Sequence, residues 1–212
     1  MTGETYGGLK AACERVVHEG FGREAMVVRP GVVVGPNDYM DRFAYWVRRL
    51  AEGGDVLAPG TPDARVTWID GRDLAAFFIG RIEAGEAGTW QATGPAAPCT
   101  MREMLEGIAS AIGATPPLTW VDEAFLLAQG VQPWSELPMW LASHEAPIHS
   151  PDLRRAHAAG LRTRPLADTA HDTLAYERSL APDVRAGSPA MKREREAELL
   201  AAWRARGGGR RT

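Results

Sequence analysis

The stretch AMVVRPGVVVGP, residues 25–36, constrains the fold more than any other part of these 212 residues. Its β-branched residues run on without polar alternation, the pattern of a strand covered on both faces. Ahead of it, Leu9, Ala12, Cys13, Val16 and Val17 fall at helical spacing between Tyr6 and Glu19, and Gly20 and Gly22 end that helix. A helix feeding directly into a doubly covered strand predicts a layered α/β sheet.

The rest of the chain continues in that style. Residues 41–52, DRFAYWVRRLAE, read as a helix stopped by Gly53 and Gly54. RVTWI is a short strand, Asp70 or Asp73 can cap the helix DLAAFFIGRIEA, and GTWQATG is a further strand. After PAAP at 95–98 the texture changes. Thr100 and Glu103 form a capping box for MREMLEGIASAIG, and residues 114–150 are rich in Pro and Trp. SPDLRRAHAAG and LADTAHDTLAYERSL are two short helices. From Ser188 a charged helix is expected, with Ser at its cap, Pro189 in its first turn and a thin apolar stripe of Met191, Leu199, Leu200 and Trp203. The expected division is therefore 1–95, with a substrate-side excursion over 34–65, then a small lobe over 96–181. A charged tail helix and disordered end follow over 182–212.

Composition narrows the function class. A net charge of −3 shows no general attraction to nucleic acid or anionic lipid. No apolar run reaches the ~20 residues of a membrane span, and the N-terminus does not read as a signal peptide. Cys13 and Cys99 stand far apart and read as buried, reduced thiols of a cytoplasmic protein. No metal-ligand spacing is present: His144 and His149 are five apart, the wrong relation for a helical pair. G-x-S-x-G and G-K-[ST] motifs are absent.

Chemistry enters with TGETYGGLK. Tyr6 and Lys10 are four apart, on one face of their helix. A free phenol, with a pKa of about 10, is a poor base near neutrality, but a nearby ammonium favours the phenolate. Such a pair can pass a proton to or from a carbonyl or alcohol oxygen, and the ammonium has donors to spare for a ribose hydroxyl.

YGGLKAACE, then MVVRPGVVVGPND, then VTWIDGRDLAAFF resemble, in order and spacing, the extended short-chain dehydrogenase/reductase family, also called NAD-dependent epimerase/dehydratase. GTWQATGP, TMREMLEGIASAIG and LADTAHDTLAYERSL are similar to its later segments, and the charged tail to bacterial members. The resemblance implies an α/β fold: the C-terminal part of a Rossmann-like, doubly wound parallel sheet plus a small α/β substrate lobe. It implies an NAD(P)-dependent oxidoreductase of the epimerase, dehydratase or reductase type, with NAD or NADP as cofactor. Tyr6 would be the catalytic acid/base, and Lys10 would assist it and hold the nicotinamide ribose. Pro30, Gly31 and Val32 would border the nicotinamide ring. The loop from Gly35 to Arg42, with Asn37 and Arg42, would face a small-molecule substrate, and a homodimer would form through the Tyr6–Lys10 helix. Arg29 and Arg72 read as ion-pair partners.

The family's Gly-rich turn lies between a strand and a helix N-terminus, where backbone amides meet the pyrophosphate. The one match here, GFGREA at 20–25, runs from helix to strand and is rejected. The resemblance thus leads to the expectation of an N-terminally truncated member, inactive alone, whose first strands and Gly-rich turn are absent. Nucleotide-sugar members often carry an Arg seven residues before the position of Asp73; Val66 stands there, so a small uncharged carbonyl compound is the expected substrate, and Trp120, Trp134 and Trp140 read either as the lining of an apolar pocket or as core. The alternatives are a nucleotide-sugar epimerase/dehydratase and a non-catalytic regulatory or binding protein of the same fold.

Overall fold

The computed structural model describes residues 3–143, 145, 151–181, 183–185 and 187–207. The chain opens with helix α1 (Gly3–Phe21), a short 3₁₀ turn (Gly22–Glu24), and strands β1 (Met26–Pro30) and β2 (Val32–Val34). Helix α2 (Phe43–Ala51), strands β3 (Val56–Pro59) and β4 (Arg65–Asp70), helix α3 (Gly71–Glu83) and strands β5 (Gly88–Ala92) and β6 (Gly94–Thr100) follow. Then come α4 (Met101–Ala111), β7 (Leu118–Val121), α5 (Glu123–Ala128), α6 (Arg154–Ala158), α7 (Leu166–Ser179) and α8 (Arg193–Ala205).

The fold class is the expected α/β, with parallel pairing throughout except for β6. Strand β1 pairs with β5, β2 with β4, and β3 with β7, all parallel, while β6 joins β4 antiparallel. The run VVRPGVVV is broken into two strands rather than continuous. Pro30 has no N–H for a ladder. Gly31 donates its amide to Ala92 O, and a Cβ on Gly31 would lie 2.0 Å from Thr93 Oγ1. The chain therefore leaves β5 at Gly31 and takes up β4 as its new neighbour. Nor is the run doubly covered: Val27, Val28 and Val32 are half-buried and Val33 is 43% exposed, because β1 has only β5 beside it among the described residues. Strand β6 crosses the 95/96 position at which the sequence divides the chain.

The main core joins α2, β3, α4, β7, α5, α7 and α8 around Phe43, Trp46, Leu105, Leu126 and Trp140. A second cluster, Ile69, Phe77, Trp90, Ala92, Ala156 and Leu161, fills the space between α3, β5 and α6. Capping follows local chemistry. Thr100 and Glu103 form the capping box of α4, and Asp70 caps α3 by accepting from the Arg72 amide.

Two readings need correction. Cys13 is exposed, because the apolar stripe of α1 is left uncovered (Leu9 is 50% and Val16 67% exposed), and Cys99, on the wall of a cavity beside β6, is only partly buried. Helix α8 starts at Arg193, not Ser188. The Ser188 hydroxyl donates instead to Asp41 and accepts from the Ala190 amide. The stripe of α8 is docked, with Leu199 and Leu200 buried. Residues 208–212, the expected disordered end, lie outside the described residues.

Candidate active site

Tyr6 and Lys10 occupy adjacent turns of α1, both exposed. Glu14, one turn further along the same face, takes the Arg29 guanidinium in two hydrogen bonds of 2.8 and 2.5 Å. Those bonds, and desolvation working against them, leave the Glu14 carboxyl below its ordinary value of 4.5. Arg29 precedes Pro30, the last residue of β1. The Tyr6–Lys10–Glu14 face is thereby tied to the C-terminal end of β1. In open α/β sheets that end is where ligands bind.

The other predicted residues leave the same strand ends. Pro30 is exposed, Gly31 is held by Thr93, and Val32 is half-buried. Gly35, at φ 112°, passes the Asp70 carboxylate so closely that a Cβ would sit 3.1 Å from it. Asn37 accepts a 3.1 Å hydrogen bond from the Tyr176 hydroxyl. The Arg42 guanidinium lies 4.0 Å over the Trp134 ring and donates to Trp134 O at 3.0 Å. Burial pulls the Arg42 pKa below the usual guanidinium value. The structure thus brings Asn37 and Arg42 into one loop and Tyr6 and Lys10 onto one helix. Among the described residues no hydrogen bond or ion pair joins the two groups.

The sequence reading missed what holds this loop. Asp38 is buried, and its Oδ2 accepts from the amides of Arg42, Phe43 and Ala44 at 3.0, 2.8 and 3.1 Å. It caps α2 from five residues upstream, where a search immediately before the helix does not look. Burial raises its pKa against those three hydrogen bonds. Asp41, also buried, takes Arg48 in a bidentate pair at 2.7 and 2.8 Å, and Arg48 continues to Glu177 at 2.7 Å. Arg185 closes on Glu177 from the other side. Further along α7, Thr169 donates to Asp70 at 3.0 Å and Asp172 pairs with Arg72.

Neither of the two cavities described among these residues is lined by Trp120, Trp134 or Trp140. Trp140 is buried in the core, Trp134 carries Arg42, and Trp120 lies beneath Arg102. A cavity of about 480 Å³ opens instead between β4, β6 and α6, lined by residues such as Arg65, Pro95, Cys99 and His157. Its burial raises the Cys99 thiol to about 11, an unreactive neutral group at neutral pH. His144 and His149 lie outside the described residues, and among those described no group of three or more His, Cys, Asp or Glu could hold a metal ion. Nor is any described helix long and apolar enough to cross a membrane.

Residues 2–91 match the NAD dependent epimerase/dehydratase family. No curated protein matches the chain. Among solved structures, dTDP-4-dehydrorhamnose reductase from Yersinia enterocolitica superposes with a TM-score of 0.56 at 14% identity, over 81% of this chain and 56% of its own. RMD from Pseudomonas aeruginosa, complexed with NADPH, gives 0.52 at 16% identity, over 80% of this chain and 54% of its own. UDP-glucose 4-epimerase from Thermus thermophilus, in complex with NAD, gives 0.51 at 18%, over 79% and 50%. The chain therefore spans about half the length of the structures it resembles. The Tyr6–Lys10 helix, the strands that follow it and the loop after them all fall within the segment, residues 2–91, that matches the NAD dependent epimerase/dehydratase family, on a Rossmann-like α/β fold.

Proposed function

We propose that this chain supplies the proton-transfer and substrate side of an NAD(P)-dependent oxidoreductase acting on a small carbonyl or alcohol compound. The observation that carries this reading is the Tyr6–Lys10 pair, on the α1 face that Glu14 and Arg29 tie to the C-terminal end of β1. When bound, the nicotinamide gives or takes the hydride. The Tyr6 hydroxyl, at the front of that face, gives the proton to the substrate oxygen or takes it back. Lys10 steadies negative charge on the phenol oxygen and offers its remaining donors to a ribose hydroxyl. Tyr6 and Lys10 on α1 and Pro30 at the end of β1 are all exposed, as groups that meet the nicotinamide-ribose end of the coenzyme need to be. The pyrophosphate finds no such fit among the described residues. Gly20 and Gly22 stand between a helix and a strand, the reverse of the order that points amides at phosphate.

The substrate class follows from β4. Val66 is 1% exposed and packed in the core, so the position where nucleotide-sugar members carry an arginine cannot reach a diphosphate here. Arg65 is exposed and lines the cavity beside β6 together with Val66 and Thr67. This favours an uncharged carbonyl compound over a nucleotide sugar. The unpaired Cys13 and Cys99 thiols suit a reducing compartment such as the cytoplasm.

The test is Tyr6→Phe in the protein as its genome encodes it, assayed as NADH- or NADPH-linked reduction of simple ketones and aldehydes. The expected result is a fall of at least about a hundredfold in kcat. An unchanged rate, or no carbonyl reduction by the parent protein with either coenzyme, would favour a non-catalytic protein of this fold.

A further inference from the structure

Backbone strain gathers around the Gly35–Arg42 loop. Four non-glycine residues among those described have positive φ. Two of them, Asn37 (64°) and Asp41 (55°), lie in the loop, and a third, Trp134 (67°), carries Arg42. Such conformations are unfavourable for a side-chain-bearing residue and persist only where the surroundings hold them. Here the surroundings are consecutive residues of α7. The Tyr176 hydroxyl holds Asn37 directly, and Glu177 holds Asp41 through Arg48. Between those two anchors Asp38 is fixed by the first amides of α2, while Tyr39 and Met40 stand 80% and 50% exposed.

The Tyr176 contact also orients the Asn37 amide. Its oxygen accepts from Tyr176, so the planar group directs its NH₂ away from α7. We propose that Tyr176 is a positioning residue which sets Asn37 to donate its side-chain N–H to an oxygen of the substrate. This rests on the reading above that the loop faces substrate. The ligand chemistry it selects is a carbonyl or hydroxyl oxygen, bound at the end of β2 by a donor that carries no charge. A half-exposed tyrosine hydroxyl is not needed to fill the core, and the loop ends are already secured by Asp38 and Asp41.

Two readouts on the full chain decide the matter. In the first, the Asn37 side-chain amide resonances are followed by NMR during titration with cyclohexanone. They are expected to shift saturably in the parent protein, and to shift only at about tenfold higher ketone in Tyr176→Phe. In the second, carbonyl reduction by Tyr176→Phe is expected to show a KM for the ketone raised by about five- to tenfold, with kcat and the coenzyme KM within about twofold of the parent. Asn37→Asp, which removes the N–H donors and keeps the shape, should raise KM similarly and non-additively with Tyr176→Phe. Unmoved Asn37 resonances in the parent, or an unchanged response in Tyr176→Phe, would overturn the assignment. A parent protein that binds cyclohexanone at Asn37 and reduces nothing would sink the redox reading and leave this one standing. Turnover without any Asn37 response would do the reverse.

Discussion

Glu14 and Arg29 form a paired contact, two hydrogen bonds to a single guanidinium, that fastens the exposed helix α1 to the strand it precedes. An exposed ion pair contributes at most about 1 kcal/mol to global stability. Its local effect is larger, because it ties the Tyr6–Lys10 face to the end of β1. Glu14→Gln is therefore expected to leave Tm nearly unchanged and to speed amide exchange in α1. The pH dependence has a definite sign. Arg29 holds the Glu14 carboxyl below its ordinary 4.5, so the contact is fully present above that value and is lost as pH falls through the depressed one. Exchange in α1 that is insensitive to both the substitution and acid would show that something else holds the helix.

Asp38 has the opposite titration. Its cap on α2 needs an acceptor, not a charge, and burial raises its pKa. A carboxyl with a raised folded-state pKa contributes most below the unfolded value of 3.8, and that contribution is lost as pH rises through the folded value. Asp38→Ala removes the acceptor and is expected to lower stability by about 1 kcal/mol. Asp38→Asn keeps it without the buried charge, and should match or exceed the parent in denaturant unfolding at neutral pH. An Asn variant as weak as the Ala variant would mean that the charge itself is required.

Glu196 of α8 and Arg49 of α2 are each 3% exposed at the side chain and meet at 2.7 Å. Glu196 also accepts from the Leu57 amide, and Arg49 donates to Gly53 O and Asp55 O. Removing one partner leaves a buried charge uncompensated, at a cost of about 3–5 kcal/mol. Glu196→Ala should therefore lower Tm by about 10 °C, whereas Glu194→Ala, on the outer side of α8, should change it little. A mild loss at Glu196 would mean that α8 docks through Leu199 and Leu200 alone.

How much of this was readable beforehand depends on range. The capping box at Thr100 and Glu103 and the cap at Asp70 are local, and their residue types announce them. That Tyr6 and Lys10 share one face of a helix was legible because four residues on a helix is a fixed geometry. The pairing of Arg48 with Glu177 was not: it spans 129 residues, and each taken alone reads as an ordinary surface charge. Tyr176 was invisible for the same reason, 139 residues from Asn37. The reading of VVRPGVVV as one covered strand failed on a contact with Thr93, which no local pattern records.

Exposed apolar side chains on two helices lead to the last prediction. Leu9, Val16 and Phe21 on α1, and Ile79 and Ile82 on α3, are each at least half exposed. Contiguous exposed apolar surface associates with more of the same. A 19-residue helix is about 28 Å long, enough to seat a partner helix and bury part of what a stable interface requires. The chain is thus expected to self-associate in light scattering, and a homodimer through the Tyr6–Lys10 helix is the arrangement we propose. Leu9→Lys with Val16→Lys should then return it to monomer, while Ile79→Lys with Ile82→Lys should not. The reverse pattern would move the interface to α3. A monodisperse parent monomer would show that these side chains do not drive assembly, and would remove the homodimer from the proposal.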